Sequence, residues 1–391
     1  MQCPCARALV SAIPPVSKRH PSGQVCAWRG DLATAMLTIV QFLLVYWRFF
    51  MELIVRAVDV GSGNTKFVTH ASATEIRCAS FPSIAYVSSG EIASWEQGER
   101  RRTVCIPIGD LIYEVGPDVA LAADTFRARQ LHDGYTESPE YMAFYRGALS
   151  LMKVNRIDLM VVGLPVALLA RKKATLEKAM AGQHDVGAGR FVTVAKAVAV
   201  AQPQGALVQF ATENEKMDAI GKEESLIIDP GARTFDWLVA RGTRLVQKQS
   251  HSLNRGMSDV LRTLALEISR STGVQFRNYD AIDLALRTGK PLMMFQKQYD
   301  LKRHLPIAEN VAEQAVVGML EWIEESHRLQ NIILVGGGAF LFRRAVKAAF
   351  PKHRIQEVKE PMFANVRGFQ LAGQNFARSV MAAGRELPEE S

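Results

Sequence analysis

Two stretches of the chain join an acid to small, hydrogen-bonding residues at the end of an apolar run. The first is Asp59-Val60-Gly61-Ser62-Gly63-Asn64-Thr65-Lys66, entered from the run Leu53 to Val58 and left through Phe67-Val68-Thr69. The second is Asp229-Pro230-Gly231-Ala232-Arg233-Thr234-Phe235-Asp236, entered from Leu226-Ile227-Ile228. Each reads as a tight β-hairpin. Glycine has no Cβ barrier to positive φ, and the amides of a tight turn can converge on an anion. Gly61, Gly63 and Gly231 supply such backbone, and Ser62, Asn64 and Thr234 add side-chain donors. The chemistry expected of such a tip is close approach to an anion, such as phosphate oxygens. Lys66 either offsets phosphate charge or, by strand alternation, faces the other way. Arg233 either grips phosphate bidentately or faces solvent.

Two further stretches bear on this chemistry. Gly336-Gly337-Gly338 follows the apolar run Asn331 to Val335. It allows close backbone approach to a ligand, and taken alone it also reads as the turn before a helix. Gln202-Pro203-Gln204-Gly205-Ala206 follows an apolar strand and brings two carboxamides among small residues. Other chemistries lack support. There is no GxxxxGK[ST] phosphate loop, and the glycine tract lacks the context of a dinucleotide fold. His251, His304 and His353 are isolated, without metal-ligand spacing. Met293, Met294 and the aromatics of 304–328 read as core.

The elements that must position these residues follow from periodicity. Strands are expected at 53–59, 65–70, 74–79, 82–87, 103–108 and 111–115, with residues 96–102 a charged loop. Ser138-Pro139-Glu140 opens a helix to about Met152, with Ser138 as its cap and Met142, Tyr145, Leu149 and Met152 on one face. The nearly unbroken apolar run 157–163 reads as a buried parallel strand. A basic-faced helix at 168–180, a strand at 191–200 and a helix after Ala206 follow. A polar break at 212–225 marks a domain boundary. Beyond it lie strands at 226–229, 235–240 and 244–249, and helices at 256–271, 278–288 and 304–328. Strand 331–335 and helices 340–350 and 365–382 end the body. Two halves, each opening with a strand that ends in Asp, predict a duplicated α/β architecture around a cleft.

The 391 residues allow more than one domain. Of the net charge of +8, residues 1–50 carry +4 (five basic residues against Asp31), so the body is only weakly basic. That predicts no direct nucleic-acid binding. Five cysteines without a CxxC pair fit a reducing, cytoplasmic setting with no disulfide framework. The apolar run Ala33 to Trp47 is shorter than the roughly 20 residues of a membrane span, so no membrane partner is expected. Residues 1–50 are expected to be an extension outside the fold, upstream of a natural start at Met51.

In order and spacing these stretches resemble the actin-like ATPase superfamily (ribonuclease H-like), shared by actins, Hsp70-type chaperones and sugar kinases. Asp59 to Lys66 resembles its first phosphate hairpin and Asp229 to Asp236 its second. Gln202 to Ala206 resembles the first connecting segment, and Leu334 to Ala339 the adenosine motif. Phe363-Ala364-Asn365-Val366-Arg367-Gly368 resembles the second connecting segment of plasmid-segregation actins of the ParM/StbA type. The pattern is also similar to the actin-like D proteins of PRTRC cassettes. The resemblance implies ATP and Mg²⁺ as ligands. Asp59 and Asp229 would hold the metal and Asp229 serve catalysis. Gln202, with Gln204 as runner-up, would orient the attacking water. Gly61, Ser62, Gly63, Asn64, Lys66, Gly231, Arg233, Thr234, Gly336, Gly337 and Gly338 would bind the nucleotide. Many relatives carry Glu at the position of Gln202, and more glycine and threonine around Ala232 and Arg233. The domains implied are 51–222, 223–364 and a returning segment 365–391. The activity implied is ATP hydrolysis by a filament-forming protein that segregates a plasmid or other mobile element through a ParB-like or other DNA-bound adaptor. The alternatives are a sugar-kinase-type phosphotransferase, with Asp236 or Asp118 as its substrate acid, and an ATP-switched adaptor that forms no filament.

Overall fold

The computed structural model describes residues 53–88, 101–122 and 134–383. The expectations for residues 1–50, and most of the loop at 96–102, lie outside them.

Among the described residues, eleven strands build two larger sheets of the same plan, five in the first and six in the second. In the first, β1 (Val55–Val60) and β2 (Asn64–Ala71) form an antiparallel hairpin, β3 (Ile76–Pro82) pairs beyond β2, and β4 (Leu159–Leu164) and β5 (Ala197–Ala201) add in parallel beyond β1. In the second, β6 (Glu224–Pro230) and β7 (Phe235–Arg241) form the hairpin, and β8 (Asn331–Leu334) and β9 (Ile355–Glu357) add in parallel beyond β6. Short strands Arg244–Leu245 and His251–Leu253 pair antiparallel with β7, in the place β3 holds beside β2.

Alternation sorts the central strands between two helical layers. Val58, Val60, Met160 and Val162 pack under α1 (Pro139–Met152), beside its Tyr141, Phe144 and Tyr145. Val55, Ala57, Leu159 and Val161 face the other way, onto Val366, Phe369 and Ala377 of the last helix, α8 (Ala364–Ala382). All six residues of β4 are buried, as its unbroken apolar run predicts. The second sheet is filled in the same manner. Leu226, Ile228, Phe235 and Trp237 pack on α4 (Met257–Thr272), α6 (Leu305–Leu320) and α7 (Ala339–Ala349). Ile227, Leu238 and Ile333 meet Ala206, Leu207 and Phe210 of α3 (Gln202–Glu213). The start of α1 is as expected: Ser138 Oγ accepts from the Tyr141 amide at 3.2 Å, with Pro139 in the first turn.

Five expectations are corrected. The strand expected at 191–200 is two. Phe191–Val194 joins Gly182–Asp185 and Arg156–Ile157 in a separate small sheet, and only β5 enters the main one. Helix α3 begins at Gln202 itself rather than after Ala206. The strand expected at 244–249 stops at Leu245 and gives way to a 3-10 turn, Gln247–Gln249. The helix expected at 304–328 ends at Leu320, and the chain turns through Glu325 at φ 46°. Met293 is 66% exposed, because Leu292–Met294 and Lys297–Tyr299 form a small hairpin turned by Phe295 and Gln296 at positive φ.

Candidate functional site

Strand register decides where the two acids stand. In the first hairpin Asp59 lies opposite Lys66, and in the second Asp229 lies opposite Asp236. Their tips meet: a Cβ added to Gly63 would lie 2.5 Å from Ala232 Cβ. Between the hairpins opens a cleft of about 490 Å³. Its lining includes Asp59, Gly61, Ser62, Gly63, Asn64, Lys66, Gln202, Asp229, Gly231, Arg233, Thr234, Gly337 and Gly338. Thus thirteen of the fourteen residues singled out from sequence line one space. The fourteenth, Gly336, stands just behind it. At φ +81° it packs so closely on Asp229 that a Cβ there would lie 2.0 Å from Asp229 Oδ1.

Each acid is buried and differently satisfied. Asp59, 1% exposed, accepts from Lys66 Nζ at 3.3 Å and from Gln202 Nε2 at 2.6 Å. Lys66 therefore faces the cleft. Asp229, 6% exposed, accepts from Asn365 Nδ2 at 2.6 Å. Burial pushes its carboxyl up to about 6; the charges of Asp236 and Asp59 add to the rise, against the pull of Lys66 and the Asn365 hydrogen bond. Burial also raises the Asp236 carboxyl, which accepts from Thr234 Oγ1, Ser252 Oγ and the Val166 amide. Three buried carboxylates beside one lysine make a site whose charge calls for a cation.

Gln202 and Gln204 part company. Gln202, at the first position of α3, reaches Asp59 inside the cleft. Gln204 turns back and accepts from the Ala201 amide at 3.0 Å, holding the start of the helix. The first tip is braced from behind. Tyr135 Oη and Ser83 Oγ both donate to the Gly61 carbonyl, at 3.1 and 2.6 Å.

Several cleft residues were not singled out as ligand-binding in the sequence. Asp280, Asp283 and Arg287 of α5 (Tyr279–Thr288) form one wall. Arg287 donates to the Gly337 carbonyl and to Asp283, both at 2.7 Å, and its guanidinium lies 5.0 Å from the Phe340 ring centre. Their spacing along one helix face was the available signal. Asn365 was inside a recognised motif, but its contact with Asp229 was not foreseen. Its Oδ1 is buried with no protein partner. Asp118 is absent from the cleft lining and pairs with Arg102 at 2.8 Å.

The donor set fits hydrated Mg²⁺. Among the described residues no group of three His, Cys, Asp or Glu is placed to hold a metal directly. Asp59 and Asp229 on facing strands would instead reach its water shell. The cleft can thus hold an anion between two sets of amides and a cation beside two acids.

Known proteins resemble the chain at the level of domain and fold. Residues 57–205 match the N-terminal domain of actin-like proteins, and residues 227–348 match the C-terminal domain of the archaeal actin homologue, MreB-like. No curated protein sequence matches. Among solved structures, the archaeal actin homologue Ta0583 superposes with a TM-score of 0.67 at 22% identity, over 83% of this chain and 100% of that one. Its complex with ADP gives 0.66 at 21% identity, over the same shares. ParM, in a 15-stranded filament from Clostridium botulinum, gives 0.66 at 21% identity, again over 83% and 100%. At such identities these structures establish the fold alone. Among the described residues no helix is long and apolar enough to cross a membrane. With its paired acid-ended hairpins, its duplicated sheets and a match to an actin-like domain in each half, the chain has the actin-like fold.

Proposed function

We propose that the protein binds Mg²⁺–ATP between the two hairpins, hydrolyses it, and uses the nucleotide to control assembly into filaments. The observation that carries this reading is that Asp59 and Asp229 line one cleft together with the glycines of both tips. The Ta0583 complex with ADP and the ParM filament support it by likeness of fold. The domains proposed are 51–222 and 223–364, with 365–391 returning to the first.

When bound, Mg²⁺ would neutralise charge on the β- and γ-phosphates. The chain positions everything around it. Asp59 and Asp229 hold the metal's water shell, and amides at 61–63 and 231–233 cradle phosphate oxygens. Ser62, Asn64 and Thr234 add donors, and Lys66 adds a positive charge beside Asp59. The Gly337 and Gly338 backbone and the Arg287 wall flank the nucleoside, with Gly336 behind them against Asp229. Gln202 orients the attacking water through its carboxamide; phosphoryl transfer needs positioning and charge stabilisation more than a strong base.

The cellular role proposed is segregation or maintenance of a plasmid or other mobile element in the cytoplasm, through a ParB-like or other DNA-bound adaptor. It rests on the ParM/StbA resemblance. A sugar-kinase activity is less favoured, since Asp236, the only one of its two candidate acids in the cleft, already accepts three hydrogen bonds. Phosphate release and pelleting, both with ATP and Mg²⁺, test the proposal. ATP-dependent pelleting with phosphate release supports it. Nucleotide binding without assembly at high protein concentration removes the filament, and sugar-dependent ADP release removes the ATPase.

A further inference from the structure

Helix α2 (Val166–Met180) starts at the end of β4, and its N-terminus is capped from the other half of the molecule. The first amides of a helix have no partner within it, and Ser, Thr, Asp or Asn ordinarily supplies one from the cap position. Here the cap position is Pro165, with no side-chain acceptor. The acceptors come from the second sheet. The Val166 amide donates to Asp236 Oδ1 at 3.2 Å, and the Ala167 amide donates to Ser252 Oγ at 3.1 Å. Ser252 lies opposite Asp236 in strand register, and its hydroxyl donates to the same carboxylate oxygen. Thr234 of the second hairpin occupies the other oxygen. The Val166 side chain is buried with Ile227, Leu238 and Ala240, so the helix tip is also seated in the second half's core.

We propose that Asp236 and Ser252 form a latch between the halves, capping α2 in trans, and that its release sets the rate at which nucleotide enters and leaves the cleft. The gating rests on the nucleotide reading above; the contact itself does not. The physical reason is that separating the halves exposes two helix amides and strips a buried carboxylate of one donor in a single step. Closure restores both sets at once, so the contact is two-sided rather than graded. Pro165, Ala167, Asp236 and Ser252 all line the cleft, so the latch and the ligand space share a wall.

The test uses the full chain with Ser252→Ala, which removes one acceptor and keeps the carboxylate. Ser252→Thr, which keeps the hydroxyl, serves as the rescue variant. Hydrogen exchange is read at the Val166 and Ala167 amides without nucleotide, and release of mant-ADP is read by stopped flow. The latch predicts faster exchange at those two amides in Ser252→Ala and mant-ADP release faster by roughly 2- to 30-fold, the range set by loss of one helix cap. Ser252→Thr should sit near the wild type in both. Unchanged exchange in Ser252→Ala overturns the latch. Faster exchange with unchanged release overturns its control of nucleotide traffic. If the wild type binds no mant-ADP, the nucleotide reading and the gating both fall, while exchange still decides the contact.

Discussion

The two hairpins have one backbone plan and opposite charge logic. Each pairs an acid-ended strand antiparallel with its neighbour and parallel with a later strand. Asp59 faces a lysine across its hairpin, whereas Asp229 faces another acid. The first half therefore satisfies its own acid, pairing it with the charge of Lys66 and a hydrogen bond from Gln202. The second half must borrow: Asp229 takes a donor from Asn365 of α8, and Asp236 takes one from the start of α2. The two halves share the hairpin geometry, and the paired carboxylates, Asp229 and Asp236, stand together in the second.

Replacing the acids tests whether both halves of the clamp are needed. Asp59→Ala and Asp229→Ala should each lower ATP turnover by on the order of 100-fold or more, the scale of losing one preorganised charge-stabilising group. Normal turnover in either variant would make the clamp one-sided.

Acid titration sharpens the contrast in charge. The folded carboxyl of Asp229 is raised to about 6 by burial, so the folded state binds its proton more tightly than the unfolded chain does. Its contribution is most favourable below the unfolded value near pH 4 and is lost as pH rises towards 6. The loss is on the order of 3 kcal/mol, at about 1.4 kcal/mol per unit. Urea unfolding in EDTA at pH 4.5 and 7.5 should show about 2 kcal/mol of this fall in the wild type and much less in Asp229→Asn. Equal slopes in the two proteins would mean that Asp229 is not the strained acid.

The tips can be pushed apart and rejoined. A Cβ on Gly63 would lie 2.5 Å from Ala232 Cβ, so Gly63→Ala should cost about 1–3 kcal/mol, the usual range for overpacking. Ala232→Gly in the same chain should recover most of it. A thermal melt of the two variants decides, and no recovery would separate the tips.

The smallest expected effect divides the two glutamines. Gln204→Ala should cost about 1 kcal/mol through the start of α3 and leave ATP turnover intact. Gln202→Ala should lower turnover, and it should also cost stability, because it takes a donor from the buried Asp59 carboxylate. The reverse pattern would exchange their roles.

Much of the clamp was legible from local pattern. Period-two alternation ending in Asp, followed by glycine, marks a strand running into a tight turn, and two such patterns imply two sheets. Boundaries failed where local pattern was silent. The run 191–200 is apolar apart from Thr193 and Lys196, and only pairing shows that Lys196 lies between strands of different sheets. Met293 and Met294 carried no sign that a small hairpin would leave the first of them in solvent.

The sequence by itself determined the paired acid-ended hairpins, the glycines at their tips and the order of the five motifs, because each depends on residues adjacent in the chain. Only the tertiary structure decided that Lys66 turns to Asp59, that Gln202 and not Gln204 enters the cleft, and that Asp229 leans on Asn365. The partners in those last two cleft contacts lie 143 and 136 positions apart. No local preference encodes such a meeting; it is set by which faces the two sheets bury and by how α3 and α8 cross between them.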